Sequence, residues 1–370
     1  MTESQPTPLV VTFTANPSID RTIALDAELR RGEVQRAVSI TEQAAGKGIN
    51  VARVVAASGY QVSAVCAGLD EQYSMLAARS AEPLPIQGIQ LGAGQHVRGN
   101  TTVTEPSGVT TKLNGPGPVL SANQVAEASL LLMDAAEGAS WVALSGSLPP
   151  GAPVDWYARL VDGLHATGAK IAVDTSDASL DAVLAALPVG SFDLIKPNSD
   201  ELAQLTGGDA AAFERAAKAG ELDEIVDAAT ALHARGIANV LVTLGGSGAV
   251  LINAEGAWYA SAPRITVAST VGAGDSSVAG FILADVAGKS SSEALASAVA
   301  LFLVWSPVAK PGMVKARMSL RGRPSRSIAL AATISACVES SPPDTPITTV
   351  GKFSARSRCS RPDTWMLYAS

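Results

Sequence analysis

The stretch Ser269-Thr270-Val271-Gly272-Ala273-Gly274-Asp275-Ser276 combines small residues that turn a loop tightly with a single carboxylate. Glycines at a helix start let backbone N–H groups close on an anion, and the helix dipole favours negative charge there. A carboxylate in the same turn would repel a phosphate, so its placement suits chemistry. Asp275 can take a proton from a hydroxyl while the N–H groups of Gly272, Ala273 and Gly274 hold a group in transfer. The plainer reading is a glycine-rich turn capped by an aspartate.

Further segments carry residue types of the same kind. Asn16-Pro17-Ser18-Ile19-Asp20 follows a short β-rich run, and Asp20 can bond sugar hydroxyls or serve a turn. Gly46-Lys47-Gly48-Ile49-Asn50 opens a helix with a lysine between glycines, which suits a phosphate or a hydroxyl-rich ligand. It is not a Walker A loop, because Gly48 follows Lys47 where Ser or Thr is required. Arg98 and Asn100 stand just before a polar hairpin, where an arginine can clamp a phosphate by paired hydrogen bonds or simply be solvated. Ser145-Gly146-Ser147 makes a sharp exit from a strand. In Lys196-Pro197-Asn198-Ser199-Asp200-Glu201, Asn198 and Glu201 can hold a hydrated magnesium ion or form a helix-capping box. Thr243-Leu244-Gly245-Gly246-Ser247-Gly248 is a glycine turn after a strand, fit for a nucleotide phosphate or a tight hairpin.

These segments need elements to hold them. Leu9–Thr14 reads as a buried strand, followed by a helix over about 49–58 and a strand over 62–67. From there helices over 121–137, 153–167, 178–186 and 223–235 lead to strands over 141–144, 170–174, 192–196 and 239–243. Such alternation predicts a mostly parallel sheet covered on both faces, with ligands beyond the carboxyl ends of its strands. The segment over 277–287 reads as a small-residue helix packed close to that sheet.

Composition narrows the class. With 47% hydrophobic and 16% charged residues, the 370-residue chain has the balance of a globular protein. Aromatics are only 4%, so the core must be built from Ala, Val, Leu and Ile. The net charge of −7 gives no support to nucleic acid as a partner. Cys66, Cys337 and Cys359 show no metal-ligand spacing, which suits a reducing cytoplasm. Neither a signal peptide nor a membrane-spanning run is expected, so the predicted location is cytoplasmic. A nicotinamide-dependent dehydrogenase is disfavoured, because no glycine fingerprint follows the first strand.

Taken in order, the segments resemble the ribokinase-like (phosphofructokinase B) family of sugar kinases over roughly residues 9–300. The words Asn16-Pro17-Ser18-Ile19-Asp20, Gly46-Lys47-Gly48-Ile49-Asn50-Val51-Ala52-Arg53 and Lys196-Pro197-Asn198-Ser199-Asp200-Glu201-Leu202 look most like its 1-phosphofructokinase and tagatose-6-phosphate kinase branch. The resemblance implies a three-layer α/β fold with a small β-sheet lid, formed by about 20–45 and 88–117. It implies ATP-dependent transfer of a phosphoryl group to a hexose phosphate, fructose 1-phosphate foremost, with tagatose 6-phosphate or fructose 6-phosphate as alternatives. Asp275 would be the base, and Gly272, Ala273 and Gly274 the anion hole. Asp20, Gly46, Lys47, Asn50, Arg98 and Asn100 would bind the sugar phosphate, with Ser145 near it. Lys196, Asn198, Thr243, Gly245 and Gly248 would contact ATP, and Glu201 would organise Mg2+ through water. The lid would close over the sugar and could build a homodimer.

Two places depart from the family. Ala45 stands where many relatives carry a glycine, which is tolerable if its backbone is not left-handed. From Leu301 to Ser370 the pattern stops, and the charge reverses. This segment holds ten Lys/Arg against three Asp/Glu, where the first 300 residues hold 17 basic and 31 acidic side chains. It reads as an accessory tail or, preferentially, as translation in a shifted frame. Either leaves open a protein of another class, one that binds a sugar phosphate with impaired catalysis.

Overall fold

A computed structural model of the chain describes residues 8–262, 272–304, 315–321, 330–337 and 364–367. The chain divides into two compact units, Met1–Gly190 and Ser191–Ser370.

The first unit is built on parallel strands: β1 (Leu9–Thr14), β4 (Gln61–Leu69), β5 (Ile86–Gln90), β8 (Trp141–Ser145) and β9 (Lys170–Asp174). Their order is β9-β8-β1-β4-β5, and every pair is parallel. Runs such as Val10-Val11-Thr12-Phe13 and Trp141-Val142-Ala143-Leu144 are buried along their whole length, as strands covered on both faces must be. The helices are α1 (Lys47–Ala57), α2 (Glu71–Ala78), α3 (Ala122–Ala135), α4 (Trp156–Leu164) and α5 (Asp177–Ala185). Phe13 of β1 meets Trp156 of α4 edge to face, with ring centroids 5.4 Å apart. A separate sheet in the order β3-β2-β6-β7 comprises β2 (Ser18–Ala24), β3 (Ser39–Ala45), β6 (Arg98–Thr104) and β7 (Thr110–Asn114). Strand β2 pairs parallel with β6, which puts Ser18 opposite Arg98 and Asp20 opposite Asn100.

In the second unit β10 (Phe192–Ile195) pairs parallel with β11 (Ile237–Thr243), which continues antiparallel into β12 (Ala249–Asn253) and β13 (Gly256–Ser261). Its helices are α6 (Ser199–Thr206), α7 (Ala210–Ala219), α8 (Asp223–His233), α9 (Ala273–Val286) and α10 (Ser291–Val304). Three further strands, β14 (Lys315–Arg321), β15 (Leu330–Cys337) and β16 (Thr364–Leu367), extend this sheet, β15 pairing parallel with β13.

The expected strand–helix alternation is present, and one expectation changes. Ile86–Gln90 pairs with β4 in the large sheet, so the small sheet begins at Arg98 rather than near residue 88. Helices α2 and α7 were not read from the sequence. One small residue of α9 also allows a close contact with another helix. A Cβ on Gly280 would lie 2.6 Å from the Ser297 carbonyl of α10, so the two backbones touch there. Almost every residue of α9 from Ala273 to Ala284 is buried, and such a helix is apolar all round rather than amphipathic. Ser269, Thr270 and Val271 lie outside the described residues.

Gly280→Ala should therefore cost about 1–3 kcal/mol by overpacking, read as a lower midpoint in denaturant unfolding. An unchanged midpoint would contradict this contact.

Candidate active site

The first unit gathers one set of polar groups. Because β2 and β6 run parallel in register, the Asn100 amide donates to Asp20 Oδ1 at 3.0 Å, and Ser18 Oγ donates to the same oxygen at 2.7 Å. Arg98 stands opposite Ser18. Burial pulls its guanidinium below the ordinary value, an effect opposed by the charges of Asp20 and of Tyr157. Arg98 Nε, Asn100 Oδ1, Asn16 Oδ1 and Ser145 Oγ are buried without a hydrogen-bond partner in the protein. Native proteins rarely leave such atoms unpaired, so these side chains are available to a polar ligand.

Lys47 joins the set through the shape of its loop. Gly46 has φ 142°, a conformation that L side chains rarely adopt, and a Cβ there would lie 2.6 Å from Thr14 Cγ2. A Cβ on Gly48 would lie 2.5 Å from Thr14 Oγ1 and 3.0 Å from the Phe13 carbonyl. Both glycines let the start of α1 settle on the end of β1. Ala45 is the last residue of β3 and has no positive φ, so the departure from the family pattern is harmless. Lys47 Nζ lies 3.4 Å from Asp174 Oδ1 at the end of β9. Ser145 neighbours both Thr14 and Asp174 in register. The Gly146 carbonyl beyond it accepts from Tyr157 Oη at 2.9 Å and Thr175 Oγ1 at 3.0 Å, which fixes that turn. Asn50 sits one helical turn on, with Arg53 Nη1 3.5 Å from its Oδ1.

The second unit gathers another. Gly272, at φ 79°, is the N-cap of α9, and no side chain caps that end. The N–H groups of the first turn therefore face outward along the dipole, with Asp275 in the same turn and only 6% exposed. A Cβ on Gly274 would lie 3.3 Å from Lys196 Nζ, so the lysine ammonium rests against this turn. Thr243 N donates to the Pro197 carbonyl at 3.0 Å, and Thr243 bridges Asn198, which brings those two segments together. Beyond Thr243, residues Gly245–Ser247 form a 3₁₀ turn held by Tyr259 Oη on the Ser247 carbonyl at 2.6 Å. Gly248 closes it against the Ala260 carbonyl, where a side chain would not fit. Asn198 and Glu201 form the capping box of α6: Asn198 Oδ1 accepts from Glu201 N at 2.8 Å, and Glu201 Oε2 accepts from Asn198 N at 2.9 Å.

Three supporting residues escaped the sequence reading. Asp174 was visible only as the acidic end of a strand whose neighbours also end in polar groups. Tyr157 and Arg53 lie inside helical patterns that look like ordinary core and surface.

Comparison with known proteins identifies the family. A family model described as pfkB family carbohydrate kinase matches residues 14–302. The chain belongs to the pfkB family. The 1-phosphofructokinase of Xanthomonas campestris pv. campestris is 37% identical to it over 285 residues, covering 74% of this chain and 83% of that protein. The 1-phosphofructokinase of Escherichia coli K12 is 34% identical over 301 residues, covering 79% and 89%. Among solved structures, phosphofructokinase-2 from Escherichia coli in complex with fructose-6-phosphate superposes with a TM-score of 0.70 at 27% identity, covering 80% of this chain and 93% of that one. As a pfkB carbohydrate kinase, the protein is a phosphotransferase that acts on a sugar hydroxyl.

Burial around the first set also sets a pH limit. The Cys66 thiol is pushed up to about 12, chiefly by burial, and burial raises the phenols of Tyr73 and Tyr157. An acid whose folded value is raised keeps its full contribution below the unfolded value and loses it as pH rises toward the folded one. The unfolding midpoint should therefore fall above about pH 9, the ordinary thiol range, and fall less steeply in Cys66→Ala. A midpoint independent of pH between 9 and 11 (roughly the thiol-to-phenol range) would refute the burial of these groups.

Proposed function

We propose that the chain is a 1-phosphofructokinase, transferring the γ-phosphoryl group of ATP to fructose 1-phosphate and yielding fructose 1,6-bisphosphate. The observation that carries the reading is the Asn100 amide held on Asp20, with the oxygen of that amide and Arg98 Nε buried and unsatisfied, joined to the names of relatives such as the 1-phosphofructokinases above. Asp20 and Asn100 bind the sugar hydroxyls, and Arg98 and Lys47 hold its phosphate. Asn50, Gly46 and Ser145 complete that cradle.

Asp275 takes the proton from the attacking hydroxyl. The N–H groups of Ala273 and Gly274, opened by Gly272, receive the charge on the transferred group. Lys196, with its ammonium against Gly274, neutralises the phosphate chain, while Thr243, Gly245, Gly248 and Asn198 line the nucleotide. Among the described residues no cluster of His, Cys, Asp and Glu could hold a metal by itself. This suits Mg2+, which keeps its waters and takes phosphate oxygens as ligands. Glu201 spends one oxygen on the α6 cap, and its other oxygen fits a water of such an ion. The metal would supply charge neutralisation at the phosphates.

The small sheet is proposed as a lid and as a homodimer surface, since Ile40 and Leu113 on its strands are 58% and 64% exposed. The predicted location is the cytoplasm. Among the described residues, no helix is long and apolar enough to cross a membrane.

The family match ends at residue 302, inside α10, where the charge reverses. We assign residues 301–370 to out-of-frame translation. A chain restored to the family's ending should unfold at higher temperature and turn over faster, whereas equal stability and activity of the two would defeat the assignment. The same break favours a second reading, a protein that binds sugar phosphate without turnover.

An ADP-release assay with fructose 1-phosphate, tagatose 6-phosphate and fructose 6-phosphate separates the readings. The highest kcat/KM is expected for fructose 1-phosphate, and a clear preference for either other sugar would reassign the substrate. Asp275→Asn should cut kcat by about 10²–10⁴-fold with sugar-phosphate binding retained in calorimetry. Retained turnover would remove Asp275 as the base.

A further inference from the structure

The two segments read above as phosphate ligands, Gly46-Lys47 and Arg98, are far apart in sequence, yet both are tied to the first turn of α2. Asp70 caps that helix. Its Oδ1 accepts from Tyr73 N at 2.8 Å, and its Oδ2 accepts from Val97 N, the residue before Arg98, at 2.9 Å. Three residues on, the buried Tyr73 phenol donates to the carbonyl of Ala45, the residue before Gly46, at 3.1 Å. Arg53 Nη2 donates to the carbonyl of Ala44 at 2.5 Å. Ile19, Ala44, Ile49, Tyr73 and Val97 share one apolar cluster, so the core beneath both segments is common.

A helix that only filled this core would need its cap and an apolar ring. A phenylalanine would fill the Tyr73 site without burying a hydroxyl. Here one carboxylate oxygen of Asp70 ends on the backbone before Arg98, and the Tyr73 phenol on the backbone before Gly46. Backbone bonds on both sides of a binding cradle set the distance between its charges, and such spacing controls affinity more than fold.

We infer that Asp70 and Tyr73 are positioning residues for sugar-phosphate binding, the first turn of α2 holding the Lys47 loop and the start of β6 at a set separation. The inference rests on the reading of Lys47 and Arg98 as ligands of the sugar phosphate. Neither residue touches substrate. Loss of either bond should loosen one side of the cradle and leave the nucleotide side as it is.

The test uses the full chain with Tyr73→Phe, Asp70→Asn and Asp70→Ala. Tyr73→Phe keeps the ring and removes the bond to Ala45 together with the phenol's contact with the Cys66 thiol. Asn at 70 keeps one acceptor oxygen where Asp has two, and Ala keeps none. Two readouts are taken: amide hydrogen exchange of peptides spanning 44–50 and 96–101, and KM for fructose 1-phosphate and for ATP. Tyr73→Phe should speed exchange in the first peptide, and Asp70→Asn in the second. KM for the sugar phosphate should rise about fivefold per lost bond while KM for ATP stays within about twofold. The Asp70 series should rank wild type, Asn, Ala. Unchanged exchange in both peptides overturns the inference. So does a parallel rise of both KM values with a lower unfolding temperature, which is the signature of a merely structural role. If the unaltered chain phosphorylates none of the three sugar phosphates, the functional reading fails, and exchange at the two peptides alone decides whether α2 positions them.

Discussion

The sugar-binding role proposed for Asp20 requires its lone pairs to be held, and here that rests on one parallel strand pair. Strands β2 and β6 lie side by side with Asp20 opposite Asn100 and Ser18 opposite Arg98. The amide and the hydroxyl both donate to one oxygen of Asp20. A slip of one residue would turn Asp20 and Asn100 to opposite faces and break the bond between them at once. Much else in the first unit protects this register. Antiparallel pairing with β3 brings the chain back to Gly46, and the first turn of α2 ties the residues before Gly46 and Arg98.

In the second unit the corresponding constraint is steric. The proposed base at a helix start needs its helix held rigidly, and α9 is held by close backbone contact with α10 at Gly280. The same small-residue logic opens the N-terminus of the helix, where Gly272 takes a positive φ and Gly274 leaves room for the Lys196 ammonium. An acid in this turn is favoured by the dipole as a carboxylate, which is the form a base requires.

Much of this was legible from residues alone. Strand ends that bind anions need glycine for close approach and a lone charge for the ligand. Gly46-Lys47-Gly48 and Gly272-Ala273-Gly274-Asp275 therefore stand out against any apolar background. The buried strands were legible because a sheet covered on both faces demands continuous Val, Leu and Ala runs. Helix α2 was not: Glu71-Gln72-Tyr73-Ser74-Met75-Leu76-Ala77-Ala78 has no clear apolar stripe, and only Tyr73 in it is buried. The placement of Ile86–Gln90 was misjudged because a short strand carries no mark of which sheet it will join. Asn198 and Glu201 were legible as a pair, but their spacing fits both a cap and an ion, and the fold uses them as a cap.

The sequence by itself determined the class of chemistry, the α/β alternation and the positions of the charged groups, because these depend on residue type and local spacing. It also located the break near Leu301, since charge balance is a local property. Tertiary structure alone decided which oxygen of Asp20 is held, that Lys47 meets Asp174, and that α9 meets α10 backbone to backbone. Those are contacts between residues up to 127 positions apart, and nothing in either local pattern encodes the distance between them.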